Sequence, residues 1–234
     1  MTNVEVDEAY KLKKKSNNGL VYGFYWWVGY KFAYFFKFLG VKPNLVSVFS
    51  LMFYVSASYF FIQTNTIMNV IGGFLFYLGV QMDATDGKLA RLTNNTSQMG
   101  IWLDYNFDYL RPLFIYPSIG LKMFYETNQT YWLIIAFVAL AAIYVFTIIS
   151  MRWDMFNFAG ELKEKHVEES KHHKYLKQFY FYEGIEPLFA ILCTIFFGIE
   201  YYLIFWTLWL IAMYLASAFV WGREINKRDK ASKN

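Results

Sequence analysis

Residues 83–108 read DATDGKLARLTNNTSQMGIWLDYNFD, which places Asp83, Asp86, Asp104 and Asp108, together with Arg91, inside a stretch bordered on both sides by apolar sequence. Upstream lies IGGFLFYLGV (71–80) and downstream YLRPLFIYPSIG (109–120). The whole chain of 234 residues is 57% hydrophobic and 23% aromatic, and uncharged runs near 20 residues recur along it. Runs of that length match the thickness of a bilayer core. The chain therefore reads as an all-α integral membrane protein, and residues 83–108 as the place where two spans turn back on each other. Carboxylates in such spans are expensive and are kept for function.

Working outward, six transmembrane helices are expected, at Pro43–Ile62, Ile67–Arg91, Gly100–Leu121, Tyr131–Met151, Ile185–Ile199 and Tyr202–Trp221. Ahead of them GLVYGFYWWVGYKFAYFFKFLG (19–40) mixes Tyr, Trp and Phe with Lys31 and Lys37, the composition of an amphipathic interfacial helix in the headgroup layer. The chain thus divides into residues 1–42 (cytosolic N-terminus and juxtamembrane helix), 43–222 (six-helix catalytic domain) and 223–234 (cytosolic basic tail). Residues 1–18 are polar and carry no signal peptide. Lys11 to Lys42 precede the first span, Arg152 to Lys177 follow the fourth and Arg223 to Lys233 follow the sixth, whereas the opposite loops hold only Lys122. The positive-inside rule puts both termini, the Asn94 loop and the long Arg152–Tyr182 loop in the cytosol. A net charge of +4 needs no nucleic acid partner. His166, His172 and His173 lie in a strongly charged loop and read as solvated, and the single Cys193 reads as a small buried hydrophobe.

The four aspartates can be placed by counting. At about 1.5 Å per residue, Asp83 comes level with Asp108 and Asp86 with Asp104, roughly 6–12 Å from the cytosolic helix ends. Asp83 and Asp86 are i,i+3, and Asp104 and Asp108 are i,i+4, so each pair shares one side of its helix. Turned inward, four ionised carboxylates repel one another unless cations neutralise them. An all-oxygen set with no histidine or cysteine suits Mg²⁺ or Mn²⁺ rather than zinc, and two such ions form a clamp for phosphoryl chemistry. The small residues Gly87, Ala90 and Gly100 let a ligand or another helix approach the backbone.

The pattern Asp83-x-x-Asp86-Gly87-x-x-Ala90-Arg91, eight residues, then Gly100-x-x-x-Asp104-x-x-x-Asp108 resembles the signature of the CDP-alcohol phosphotransferase (CDP-alcohol phosphatidyltransferase) family at every fixed position. The resemblance implies transfer of a phospho-alcohol group from a CDP-linked donor to a hydroxyl, with release of CMP, in phospholipid biosynthesis. It implies Asp83, Asp86 and Asp104 as ligands of two divalent cations, with Asp108 as ligand and catalytic base. Gly87, Ala90, Arg91 and Gly100 would line the CDP site, Arg91 countering diphosphate charge. The implied partners are the lipid bilayer, a CDP-linked lipid such as CDP-diacylglycerol and a polar alcohol acceptor; a small CDP-alcohol donor with a lipid acceptor is a variant. Homodimers are common in that family. Arg111, Arg152 and Arg223 are candidates for holding a phosphorylated acceptor, although arginines at cytosolic span ends also follow from topology. The run Asp108-Tyr109-Leu110-Arg111-Pro112 leaves the acceptor branch open. A different class, a cation or proton transporter, also uses intramembrane carboxylates; it predicts them at mid-membrane on broken helices.

Overall fold

The computed structural model describes residues 20–161 and 185–231, all but the short connections helical. The Lys11–Lys15 cluster, the three histidines, Glu183 and most of the Arg152–Tyr182 loop lie outside the described residues. The helices are α1 (Leu20–Phe38), α2 (Pro43–Ile62), α3 (Thr66–Leu92), α4 (Gln98–Thr127), α5 (Tyr131–Glu161), α6 (Glu186–Phe196) and α7 (Ile199–Ala231).

Local chemistry sets most of the boundaries. Pro43 opens α2, where a missing N–H costs nothing. The Asn65 side chain accepts from the Ile67 N–H at 2.8 Å to start α3, and Ser97 accepts from the Gly100 N–H at 3.0 Å to start α4. Between them the turn after Leu92 closes with Asn94 in the left-handed region (φ 51°). The helix α4 runs through both Pro112 and Pro117. Pro112 removes the N–H that would bond the Asp108 carbonyl, and the next carbonyl, on Tyr109, accepts from the Tyr144 hydroxyl of α5 at 2.6 Å.

Among the described residues, four helices are long and apolar enough to cross a membrane: Pro43–Ile62, Thr66–Leu92, Tyr131–Trp153 and Ile199–Arg223. The other two expected spans differ for separate reasons. The 30-residue α4 has ample length but carries Asp104, Asp108, Arg111 and Lys122, and α6 is an apolar helix of only 11 residues. The fourth and sixth expected spans each continue as helix past their expected ends, so Arg152 and Arg223 are helical rather than loop residues. Large apolar side chains such as Met52, Tyr59, Phe74, Phe137, Leu208 and Phe219 face outward, far more apolar surface than a soluble monomer presents.

The bundle packs α2 against α3 and α4, α4 against α5, α5 against α7, and α6 against α3 and α7. Its main core joins Tyr54, Phe61, Phe76, Ile115, Tyr116, Tyr202 and Trp206, while a second cluster of Ala33, Val46, Met82 and Leu89 seats α1 on α2 and α3. The first helix lies along the end of α3 that carries the acidic stretch. The Tyr25 hydroxyl donates to the Val80 carbonyl at 3.2 Å, the Thr85 hydroxyl to the Gly29 carbonyl at 3.3 Å, and Lys37 Nζ to the Leu92 carbonyl at 3.2 Å. These contacts advance together in both helices, so α1 runs in the same direction as α3 for about 18 Å.

Candidate metal centre

Two helices deliver the acidic groups. Asp83 and Asp86 come from α3 and Asp104 from α4, and each offers a carboxylate oxygen within 4.8 Å of the others. The sequence spacing explains the convergence: i,i+3 on α3 and the tight turn into α4 leave both acidic faces turned to the same gap. Asp86 is buried and the other two are partly buried. Asp86 and Asp104 lie within electrostatic reach of each other. Asp108, one turn farther along α4, falls outside the group of three; it and Asp83 are both within electrostatic reach of Tyr54.

Asp86 is braced on both oxygens. The Ser47 hydroxyl of α2 donates to Oδ2 in a very short hydrogen bond, and the Gly87 N–H donates to Oδ1 at 2.5 Å. Donors on the outer oxygens fix how a carboxylate presents its remaining lone pairs. Three carboxylates at such separation repel unless a cation sits among them, and an oxygen-only set of this kind fits a hard divalent ion. The donor chemistry therefore suits a hard divalent cation.

The remaining expected residues fall into two groups. A Cβ on Gly87 would meet the Arg91 guanidinium at 3.5 Å, so Arg91 folds back over the glycine beside Asp86. A Cβ on Gly100 would come within 3.1 Å of Asn44 Oδ1 and 3.2 Å of Ser97 Oγ, so α4 begins against α2 there. Ala90 is partly buried on the same turn as Arg91. Arg111 is buried and within electrostatic reach of Tyr54, Tyr116 and Tyr202. Arg152 and Arg223 are exposed within the C-terminal halves of α5 and α7, beside the point where Trp153 and Trp221 stack at 5.4 Å. The Tyr109 hydroxyl, next in sequence to Asp108, meets Met151 Sδ at 3.0 Å, which brings the Arg152 stretch of α5 alongside α4.

Several residues at the site were not singled out from sequence. Asn44, Ser47, Ser50 and Tyr54 recur at three- and four-residue steps along the first span, a polar stripe on an otherwise apolar helix that periodicity would have exposed. Lys88 is 2% exposed, donates to the Ala84 carbonyl at 2.5 Å and lies 4.3 Å from the ring centre of Trp26, with Tyr25 and Tyr30 at 5.7 and 5.8 Å. Glu186, at the start of α6, is buried and accepts from the hydroxyls of Tyr116 at 2.9 Å and Tyr202 at 2.8 Å.

Comparison with known proteins agrees with this arrangement. Over 83 residues the chain is 35% identical to an archaetidylinositol phosphate synthase of Pyrococcus horikoshii, covering 36% of this chain and 43% of that protein. Over 106 residues it is 29% identical to an uncharacterized protein of Aquifex aeolicus, covering 45% of this chain and 52% of that one. The chain thus spans about half the length of the curated relatives it matches. The profile of the CDP-alcohol phosphatidyltransferase family matches residues 41–222, from just before α2 to Gly222 within α7, and the chain belongs to that family.

Proposed function

We propose that the protein transfers a phospho-alcohol group, in the main reading a phosphatidyl group from CDP-diacylglycerol, to a hydroxyl of a polar alcohol and releases CMP. The observation that carries this reading is the trio Asp83, Asp86 and Asp104 brought together from two helices in a member of this family. Asp83, Asp86 and Asp104, with Asp108 beside them, would hold two divalent ions, Mg²⁺ or Mn²⁺. Bound there, such ions polarise phosphoryl oxygens and offset charge on the departing nucleotide.

The rest is done by the chain itself. Asp108 accepts the proton of the acceptor hydroxyl, which is a poor nucleophile while protonated. As the acceptor oxygen bonds to the lipid-side phosphorus, the bond from that phosphorus to the bridging oxygen breaks and CMP leaves with the electron pair. Arg91 pairs with the diphosphate, and Gly87, Ala90 and Gly100 leave its backbone approach open. Buried Arg111 is the best placed of the three arginines to hold a charged acceptor. The name of the Pyrococcus relative makes inositol phosphate the first acceptor to try.

The bundle is read as six spans, α2 to α7, with the polar α4 packed between α2 and α5 and the short α6 packed on α3 and α7. The outward face of α1 is apolar at Phe24, Trp27, Phe35 and Phe38, and since α1 runs beside α3 for about 18 Å that face suits acyl chains rather than the headgroup layer expected for it, with Lys31 and Lys37 toward the end where α3 meets its turn. Both termini and the site face the cytosol in this reading, and a homodimer fits the exposed apolar flanks.

The test is transfer of radiolabelled lipid from CDP-diacylglycerol in vesicles to a panel of alcohols and phospho-alcohols, with CMP followed by chromatography. Labelled product and CMP in equal amounts are expected. Asp108→Asn should lower turnover at least about a hundredfold while donor binding partly survives. Ion-gradient dissipation with no CMP release under any acceptor would favour a transporter instead.

A further inference from the structure

Tyr54 of α2 is fully buried in the main core. A Cβ on Gly79 would lie 2.5 Å from its Cε1 and 2.6 Å from its Cδ1, so α3 has room for this ring only because residue 79 has no side chain. Phe76 meets it edge-on at 6.2 Å. Helical side chains lean toward the N-terminus of their helix, and the N-terminal end of α2 is where Ser47 reaches Asp86. The phenol is thereby tilted up toward the acidic group, with Asp83, Arg111 and Asp108 within electrostatic reach.

The hydroxyl itself is buried and has no hydrogen-bond partner among the described residues. Tyr116 and Tyr202, equally buried, both spend theirs on Glu186. A buried hydroxyl left unpaired is destabilising, and phenylalanine would fill the same slot without that cost. The residue is therefore placed for a hydrogen bond at the floor of the site. Asp83 and Asp108 are the carboxylates within electrostatic reach of the phenol, and Asp83 is the one on the helix against which the ring is wedged.

We infer that Tyr54 is a positioning residue: its hydroxyl donates to the Asp83 carboxylate once that group is drawn into ion binding, holding it from below as Ser47 holds Asp86 from the side. This rests on the metal-site reading above. A neutral phenol can orient a carboxylate without cancelling the charge that attracts the ion, which a lysine in its place would do.

The experiment is a Mn²⁺ titration of the full chain in nanodiscs, followed by electron paramagnetic resonance. Tyr54→Phe should weaken the tightest Mn²⁺ binding roughly tenfold or more, with the thermal midpoint of the metal-free protein unchanged or raised. Tyr59→Phe, on the exposed side of the same helix, should change neither. In an Asp83→Asn background the loss of the Tyr54 hydroxyl should have no further effect. Affinity of Tyr54→Phe within about twofold of wild type would overturn the inference, and an equal further loss in the Asp83→Asn background would overturn the assignment to Asp83. A wild type that binds no Mn²⁺ would overturn the metal site itself, a result distinguishable from either.

Discussion

Asp86 is buried and held at both ends of its carboxylate, by a serine from a neighbouring helix on one oxygen and by its own helix at Gly87 on the other. A carboxylate so held has little freedom left, which is what a ligand in a fixed coordination shell requires. Ser47→Ala leaves the helix intact but takes away a hydrogen bond to a charged group, worth about 1.5–3 kcal/mol. We expect at least a roughly tenfold rise in the Mg²⁺ concentration for half-maximal CMP release, with maximal rate less affected; an unchanged Mg²⁺ requirement would show that the serine is only packing. The aspartates themselves were legible from sequence because four charges in apolar spans have few uses. Ser47 and Tyr54 went unread because each alone passes as packing in a span; their three- and four-residue spacing puts them on one face of α2, but only the fold shows that this face meets α3.

At the scale of elements, the tie between α1 and α3 is the feature that composition foretold least. The aromatic, lysine-bearing helix was expected from its residues, but they do not say that its Trp26, Tyr25 and Tyr30 surround a lysine from the acidic stretch. Nor do they say why residue 29 is glycine: a Cβ there would stand 2.8 Å from Lys88 Nζ. A desolvated cation on aromatic faces is worth about 2 kcal/mol. Lys88→Met should therefore speed amide exchange in α1 at least roughly tenfold, read by hydrogen exchange with mass spectrometry, while α5 and α7 peptides stay as in wild type. Equal protection of α1 in the variant would mean that the apolar cluster around Ala33 holds the helix unaided. Helix boundaries at Pro43, Asn65 and Ser97 were readable because proline and capping residues act locally. The continuation of α5 past Arg152 was not, because charge marks where the membrane ends rather than where the helix does.

For the whole molecule, hydropathy identifies four spans outright, and the two it leaves in question are informative. The helix α4 loses its apolar signature to the aspartates and Arg111 that give the site its chemistry, and α6 is short and begins with the buried Glu186. A six-span topology with a cytosolic site predicts that, in a Cys193→Ala background, Asn94→Cys reacts with an impermeant thiol reagent only from the cytosolic side and Thr130→Cys only from the other. Labelling of both from one face would contradict the orientation. The most direct test of the central claim is CMP release from CDP-diacylglycerol by protein stripped with EDTA and then titrated with Mg²⁺ or Mn²⁺, alongside Asp86→Asn. The account predicts no release after stripping, full recovery on adding back the ion, and none at any concentration in Asp86→Asn. Turnover that persists in EDTA, or in Asp86→Asn at the wild-type rate, would contradict it.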